Sequence, residues 1–175
     1  MDNKEIDSTI SKLEENAKYI DTIIDDVVFE NTAHLDSIMQ DIYKEINANV
    51  GGLPQEMLCN YFMELTNLLY FISSKLEKVS VRSCLSKAMY NEAYNNIYLD
   101  ITKADKKTTV AEKEATAENG AIKESTVQII YESAQRKIKA KVEAGYEMVR
   151  TLSKIISKNM TETTLTKNKI GEEVA

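Results

Sequence analysis

The chain has 175 residues, one proline, five glycines, no tryptophan and a formal net charge of −6. So few breakers exclude most all-β architectures, which need a turn every ~8–12 residues. They also exclude collagen-like and proline-rich linker classes, and leave long helices as the expected element.

The charge is unevenly placed. Residues 1–50 hold twelve acids against four lysines, whereas residues 102–170 hold nine acids against fourteen bases. An acidic front and a basic back suit self-assembly or a basic face for nucleic acid, and equally suit helices that simply carry many solvated charges.

The first helix is predicted from Ile6, Ile10, Leu13, Ala17, Ile20, Ile24 and Val27, spaced alternately by four and three as in a coiled-coil seam. The next seam position is Asn31, after which the pattern slips to Leu35, Ile38, Ile42 and Ile46. Either Asn31 is a polar seam residue that sets register, or the helix breaks there with Asn31 or Thr32 as an N-cap. The segment from Asn47 to Pro54, with Gly51 and Gly52, is the clearest loop. Pro54, Gln55 and Glu56 suit the start of a second helix. That helix carries a wide apolar stripe, Leu58, Tyr61, Phe62, Leu65, Leu68, Leu69, Ile72, Leu76 and Val79, and belongs in the middle of a bundle. Val79–Ser83 reads as a bend or as continuous helix, and the pattern resumes through Tyr90, Tyr94, Ile97, Tyr98 and Ile101.

Thr102–Thr109 reads as a second loop, polar and basic. Thr109 followed by Glu112 has the capping-box form, so a helix should start at Val110. Asn119-Gly120 either ends it or weakens it. The last helix is marked by Val127, Tyr131, Ala134, Ile138, Val142, Gly145, Val149, Leu152 and Ile156, close to a 3.6 period, with Gly145 marking a close helix approach. The expected organisation is one helical domain over 1–160 and a flexible tail over 161–175, which lacks an apolar period. The fold class is all-α, a long-helix bundle or extended helical hairpin with coiled-coil-like segments.

Chemistry-bearing constellations are sparse. His34, the single histidine, follows Glu30 by four residues and Asp26 by eight. Helical metal sites need several such ligands on facing helices, so no metal is expected and His34 reads as a solvated or seam-edge residue. Cys59 and Cys84 have no adjacent activating base and are expected as small core residues with free thiols. Gly51-Gly52 lacks the Lys-Ser/Thr continuation of a phosphate loop. No cofactor and no enzymatic activity are expected.

Two charged rows are the candidate binding residues. Arg136, Lys139, Arg150, Lys154 and Lys158 lie opposite the apolar stripe of the last helix, and Lys103, Lys106 and Lys107 extend this basic face from the loop. Such a row can neutralise phosphates, although Glu143 and Glu147 share the same face, and a merely solvated face is the competing reading. Tyr90, Tyr94 and Tyr98 suit base stacking, or bundle packing with hydroxyls at the edge. Asp7, Glu14, Asp21 and Asp25 form an acidic row on the first helix. Like charges at this spacing call for a basic partner. The protein's own basic helix, in the same or another subunit, is expected ahead of a foreign protein whose nucleic-acid groove the row would imitate. No run of about 18 apolar residues marks a membrane span. The polar start, MDNKEIDSTI, does not read as a signal peptide, so a cytoplasmic location is expected.

Residues 87 to about 160 resemble small helical proteins common in bacteriophage genomes. The likeness rests on the tyrosine-rich end Ala93-Tyr94-Asn-Asn-Ile97-Tyr98-Leu99, the lysine-rich loop into Thr109-Val110-Ala111-Glu112-Lys113-Glu114-Ala115, and the long amphipathic helix ending near Ile155-Ile156. This layout is similar to that of UvsY-type recombination mediators, and it covers less than half the chain. The resemblance implies a helical, oligomeric accessory protein that helps load a recombinase onto single strands in the cytoplasm of a bacterial host. It transfers no individual functional residue. The competing expectations are a phage-encoded inhibitor of a host defence protein, acting by occlusion, and a structural assembly component.

Overall fold

A computed structural model describes residues 3–49, 52–104 and 108–173, with side chains described over 6–49, 52–104 and 108–165. It is all-α, and the described residues form four helices: α1 (Asn3–Ala48), α2 (Gln55–Ala104), α3 (Val110–Gly120) and α4 (Ile122–Glu173). No strand occurs among the described residues.

Three of the helices are long, at 46, 50 and 52 residues. α1 does not break at Asn31. The Asn31 side chain instead donates to the Val27 carbonyl at 2.7 Å, and Thr32, fully buried, donates to Asp36 at 3.2 Å. Both satisfy their polarity locally, so neither competes with the helix as a cap. α2 likewise runs straight through Val79–Ser83. The α1–α2 loop turns at Gly52, whose φ of 89° lies in the left-handed region where a side chain would be strained. Leu53 is buried beneath it, and the Pro54 carbonyl accepts the first α2 bond from Leu58.

The capping box of α3 is formed. The Glu112 amide donates to the Thr109 hydroxyl at 3.3 Å, and the Thr109 amide donates to the Glu112 carboxylate at 3.0 Å. α2 extends to Ala104, further into the second loop than the sequence suggests. α3 ends at Gly120, where a Cβ would come within 2.6 Å of Ile97 Cδ1. Buried Ala121 is bonded on both sides, its amide to Ala117 and its carbonyl to Ser125, before α4 begins. α4 continues to Glu173, so the 161–175 segment expected as a tail is helical to that residue. No side chain over 161–165 is buried, which is why no apolar period marks it.

Two compact units can be told apart along the helices. The first unit comprises Met1–Asn31 and Lys75–Ile138, and the second Thr32–Ser74 and Lys139–Ala175. The second unit is built from segments of α1, α2 and α4. Its core is Leu35, Ile38, Ile42, Leu58, Leu65, Leu69, Ile72, Val142 and Leu152. Gly145 lies in that core, and a Cβ there would meet Leu69 Cδ2 at 2.7 Å and Leu35 Cδ1 at 3.3 Å, the close approach expected of it. The first unit adds α3 to its segments of α1, α2 and α4. Its core is smaller in grain: Ile24, Val28, Val79, Ala117, Ala121, Ile130, Ala134 and Ile138, with Ser83 and Ser86 also buried. The Ser86 hydroxyl donates to the Ser83 carbonyl at 2.8 Å, and Gln135 donates to Ser80 at 3.0 Å. These bonds meet the requirement that buried polar groups be paired.

Candidate binding surfaces

The α1 stripe is covered over only part of its length. Ile24 and Val28 are buried, and Ile20 is half-buried. Ile6, Ile10, Leu13 and Ala17, on the same face one to five turns earlier, are exposed, Leu13 to 67%. The apolar stripe is therefore closed within the first unit from Ile24 onward and bare over Ile6–Ala17. The pattern also slips by one residue earlier than expected, since Val28 is buried more deeply than Val27.

The acidic row flanks this bare stripe. Asp7, Glu14 and Asp21 are exposed and make no ion pair among the described residues. Asp25, further along, accepts from Lys137 of α4 at 2.8 Å within the first unit. In the second unit Lys141 donates to Asp36. Part of the acidic front is thus met by the chain's own basic helix. The Lys137–Asp25 pair is largely exposed, so its contribution is about 0–1 kcal/mol.

The basic row is spread over both units. In the first unit, Lys103 near the end of α2 is exposed, and Arg136 donates to Ser133 at 3.2 Å. Lys106 and Lys107 lie outside the described residues. In the second unit Arg150 pairs with Glu147 and Lys158 with Glu162 at 3.7 Å, while Lys139 and Lys154 are exposed without an ion pair among the described residues. Local carboxylates therefore neutralise two of the three aligned cations Arg150, Lys154 and Lys158.

Tyr90, Tyr94 and Tyr98 form a row along α2, with the Tyr94 and Tyr98 rings stacked at 6.3 Å and Tyr90 tilted at 45° to Tyr94 at 6.2 Å, and all three are half-buried. Desolvation first, then the carboxylates of Glu114 and Glu118 on α3, raise the Tyr94 phenol above its ordinary pKa. This tyrosine ladder faces acids, the wrong sign for a phosphate backbone.

His34 is exposed at the edge of an open hollow of about 350 Å³ in the second unit, together with Asp41, Lys44, Glu45, Tyr61 and Glu64. Lys44 pairs with Asp41 at 3.7 Å, and Asn49 donates to Glu45 at 3.2 Å. Tyr61 is held above its ordinary pKa by desolvation first and then by Glu45, Asp41 and Glu64. No set of three His, Cys, Asp or Glu side chains is arranged to hold a metal among the described residues. Cys84 is exposed and Cys59 half-buried, so neither is the core residue expected; both thiols are free. On α2, Cys84 lies beside exposed Leu85, outside the buried line of Val79, Ser83 and Ser86.

A second apolar surface was not foreseen. Val81, Leu85 and Met89 recur every four residues on the exposed side of α2 in the first unit. Met89 also borders a hollow of about 120 Å³ with Ser86, Lys123, Glu124 and Val127. Val127, expected in the core stripe of α4, is exposed there. The signal was present, because α2 has two apolar lines and the Leu58–Val79 line is the denser. No helix among the described residues is long and apolar enough to cross a membrane. No known protein family, characterised protein or solved structure matches the chain.

Proposed function

We propose that the protein is a non-enzymatic accessory factor that works by binding other protein chains through bare helix faces, as a homo-oligomer and in the cytoplasm of a bacterial host. The observation that carries this reading is the stripe Ile6, Ile10, Leu13 and Ala17, a regular apolar face left open and edged by unpaired acids. Monomeric proteins rarely leave such faces uncovered, and apolar patches with polar rims are typical of protein-binding sites. The phage setting, and with it a role beside recombination or replication proteins, comes from the resemblance over residues 87–160. Weak single-strand contact is the subordinate part of the reading. It is supported by exposed Lys139 and Lys154 and opposed by the acids that neutralise Arg150 and Lys158.

The test is capture of partners by the tagged full chain, beside an Ile10→Ser/Leu13→Ser chain. A protein retained by the first and lost by the second supports the reading; identical retention by both contradicts it. Titration with a single-stranded oligonucleotide decides the subordinate part. Affinity should fall steeply between low and moderate salt, and binding that ignores salt would remove it.

A further inference from the structure

The first unit carries two uncovered apolar faces whose flanking charges are opposite. The α1 face, Ile6–Ala17, lies in a stretch where residues 6–21 hold Asp7, Glu14, Glu15 and Asp21 against Lys12 and Lys18. The α2 face, Val81–Met89, lies in a stretch where residues 75–89 hold Lys75, Lys78, Arg82 and Lys87 against Glu77. Lys78 and Arg82 sit one turn apart along the edge of Val81 and Leu85, as Asp7 and Glu14 sit along the edge of Ile6, Ile10 and Leu13. None of these charged side chains forms an ion pair among the described residues.

Ile6 to Ala17 is eleven residues and Val81 to Met89 is eight, so at about 1.5 Å per residue the stripes are roughly 17 and 12 Å long, and the α1 stripe can cover the α2 stripe over its whole length. The hollow beside Met89 and Val127 offers a recess next to the α2 stripe. Pairing two α1 faces antiparallel would instead set Asp7, Glu14 and Asp21 against their own copies, an arrangement that like-charge repulsion disfavours.

We infer that the α1 face of one copy docks on the α2 face of a second copy, and that the exchange is reciprocal, so that two such contacts close a dimer. This deepens the proposed function by naming a homotypic partner and rests on its premise that the bare faces bind protein. The contact is isologous overall, because each copy gives one face and receives on the other, and such closure stops growth at two.

The test uses the full chain and two charge-reversed variants. One carries Asp7→Lys and Glu14→Lys; the other carries Lys78→Glu and Arg82→Glu. All four positions are exposed, and circular dichroism should show unchanged helix content. Sedimentation equilibrium of the wild-type chain should show a monomer–dimer equilibrium that weakens with salt. Each variant alone should dissociate at least about tenfold more readily. Mixed together, the two variants should form a heterodimer, because acidic α1 then meets basic α2 and basic α1 meets acidic α2. A wild type that stays monomeric overturns the inference, as does a dimer that neither reversal weakens, or a mixture that fails to recover. A monomeric wild type that still captures a foreign protein through Ile10 and Leu13 overturns this inference alone and leaves the broader binding reading standing.

Discussion

The two units fill their interiors with different material. The second unit packs leucine and isoleucine from α1, α2 and α4, and Gly145 lets α4 come close to Leu69 and Leu35. The first unit packs alanine and serine beside Ile24, Ile130, Ile138 and two valines, and it exposes Ile6, Ile10, Leu13, Val81, Leu85 and Met89. At about 25 cal/mol per Å² of apolar surface buried, large side chains stabilise the second interior more per residue. The first unit uses small residues such as Ala117, Ala121 and Ala134 where α2, α3 and α4 pack together. The second unit also exposes Met63, Tyr70 and Phe71, so the units differ in what fills the interior rather than in whether apolar side chains reach water.

That contrast should appear most strongly on truncating the second core. Leu69→Ala should lower stability by about 2–5 kcal/mol in denaturant unfolding, because Leu69 is buried and packs beside Gly145. An effect below about 1 kcal/mol would mean that this interior is as loosely filled as the other. Adding one carbon separates the units next. Gly145→Ala should cost about 1–3 kcal/mol through overpacking against Leu69 and Leu35, more than the ~1 kcal/mol gained in helix propensity. Gly120→Ala in the first unit should be nearly neutral, since the atom in its way is the terminal methyl of half-buried Ile97. Equal losses at both glycines, measured by thermal unfolding, would erase the distinction. Thr109→Ala removes the hydroxyl that caps α3 and should cost about 1 kcal/mol, read as lost helicity and a lower midpoint.

Smaller effects sharpen the comparison from the exposed side. Leu13→Ser should change the stability of dilute protein by less than about 0.5 kcal/mol, because Leu13 is already in water. A large loss would show that the α1 face is covered within its own chain. The alkaline limb should be smallest. Folding holds the Tyr61 and Tyr94 phenols above 10.0, so the folded state keeps its protons where the unfolded chain loses them. Stability is then unaffected below about pH 10 and declines as pH rises through the raised values. A Tyr61→Phe/Tyr94→Phe chain should lose that part of the decline, and phenolate absorbance during alkaline titration gives the check.

The helices were legible because their causes are local. Apolar period, the Thr109–Glu112 box and the loop at Gly52–Pro54 each act within a few residues, and each is where the sequence places it. Asn31 was ambiguous for the same reason: its side chain can cap a helix or bond back to Val27, and only the continuous helix decides. What periodicity cannot report is whether anything lies against a stripe. Ile10 and Ile24 occupy equivalent positions in the pattern, yet one is exposed and the other buried. Val127 and Cys84 were misplaced by the same gap. The acidic row was readable as a row in need of cations, and Lys137 supplies one to Asp25; which acids remain unpaired depends on where α4 lies in the first unit. The Val81–Met89 line is hidden in the sequence by the denser Leu58–Val79 stripe on the same helix.

Hydrogen exchange on the wild-type chain, followed residue by residue in dilute and in concentrated solution, reads both units in one sample. Amides of the second core should stay protected at both concentrations, while protection over residues 6–17 and 81–89 should rise together as concentration increases. Protection of residues 6–17 that is high and unchanged in dilute solution, or a concentration effect confined to the second unit, would contradict that expectation.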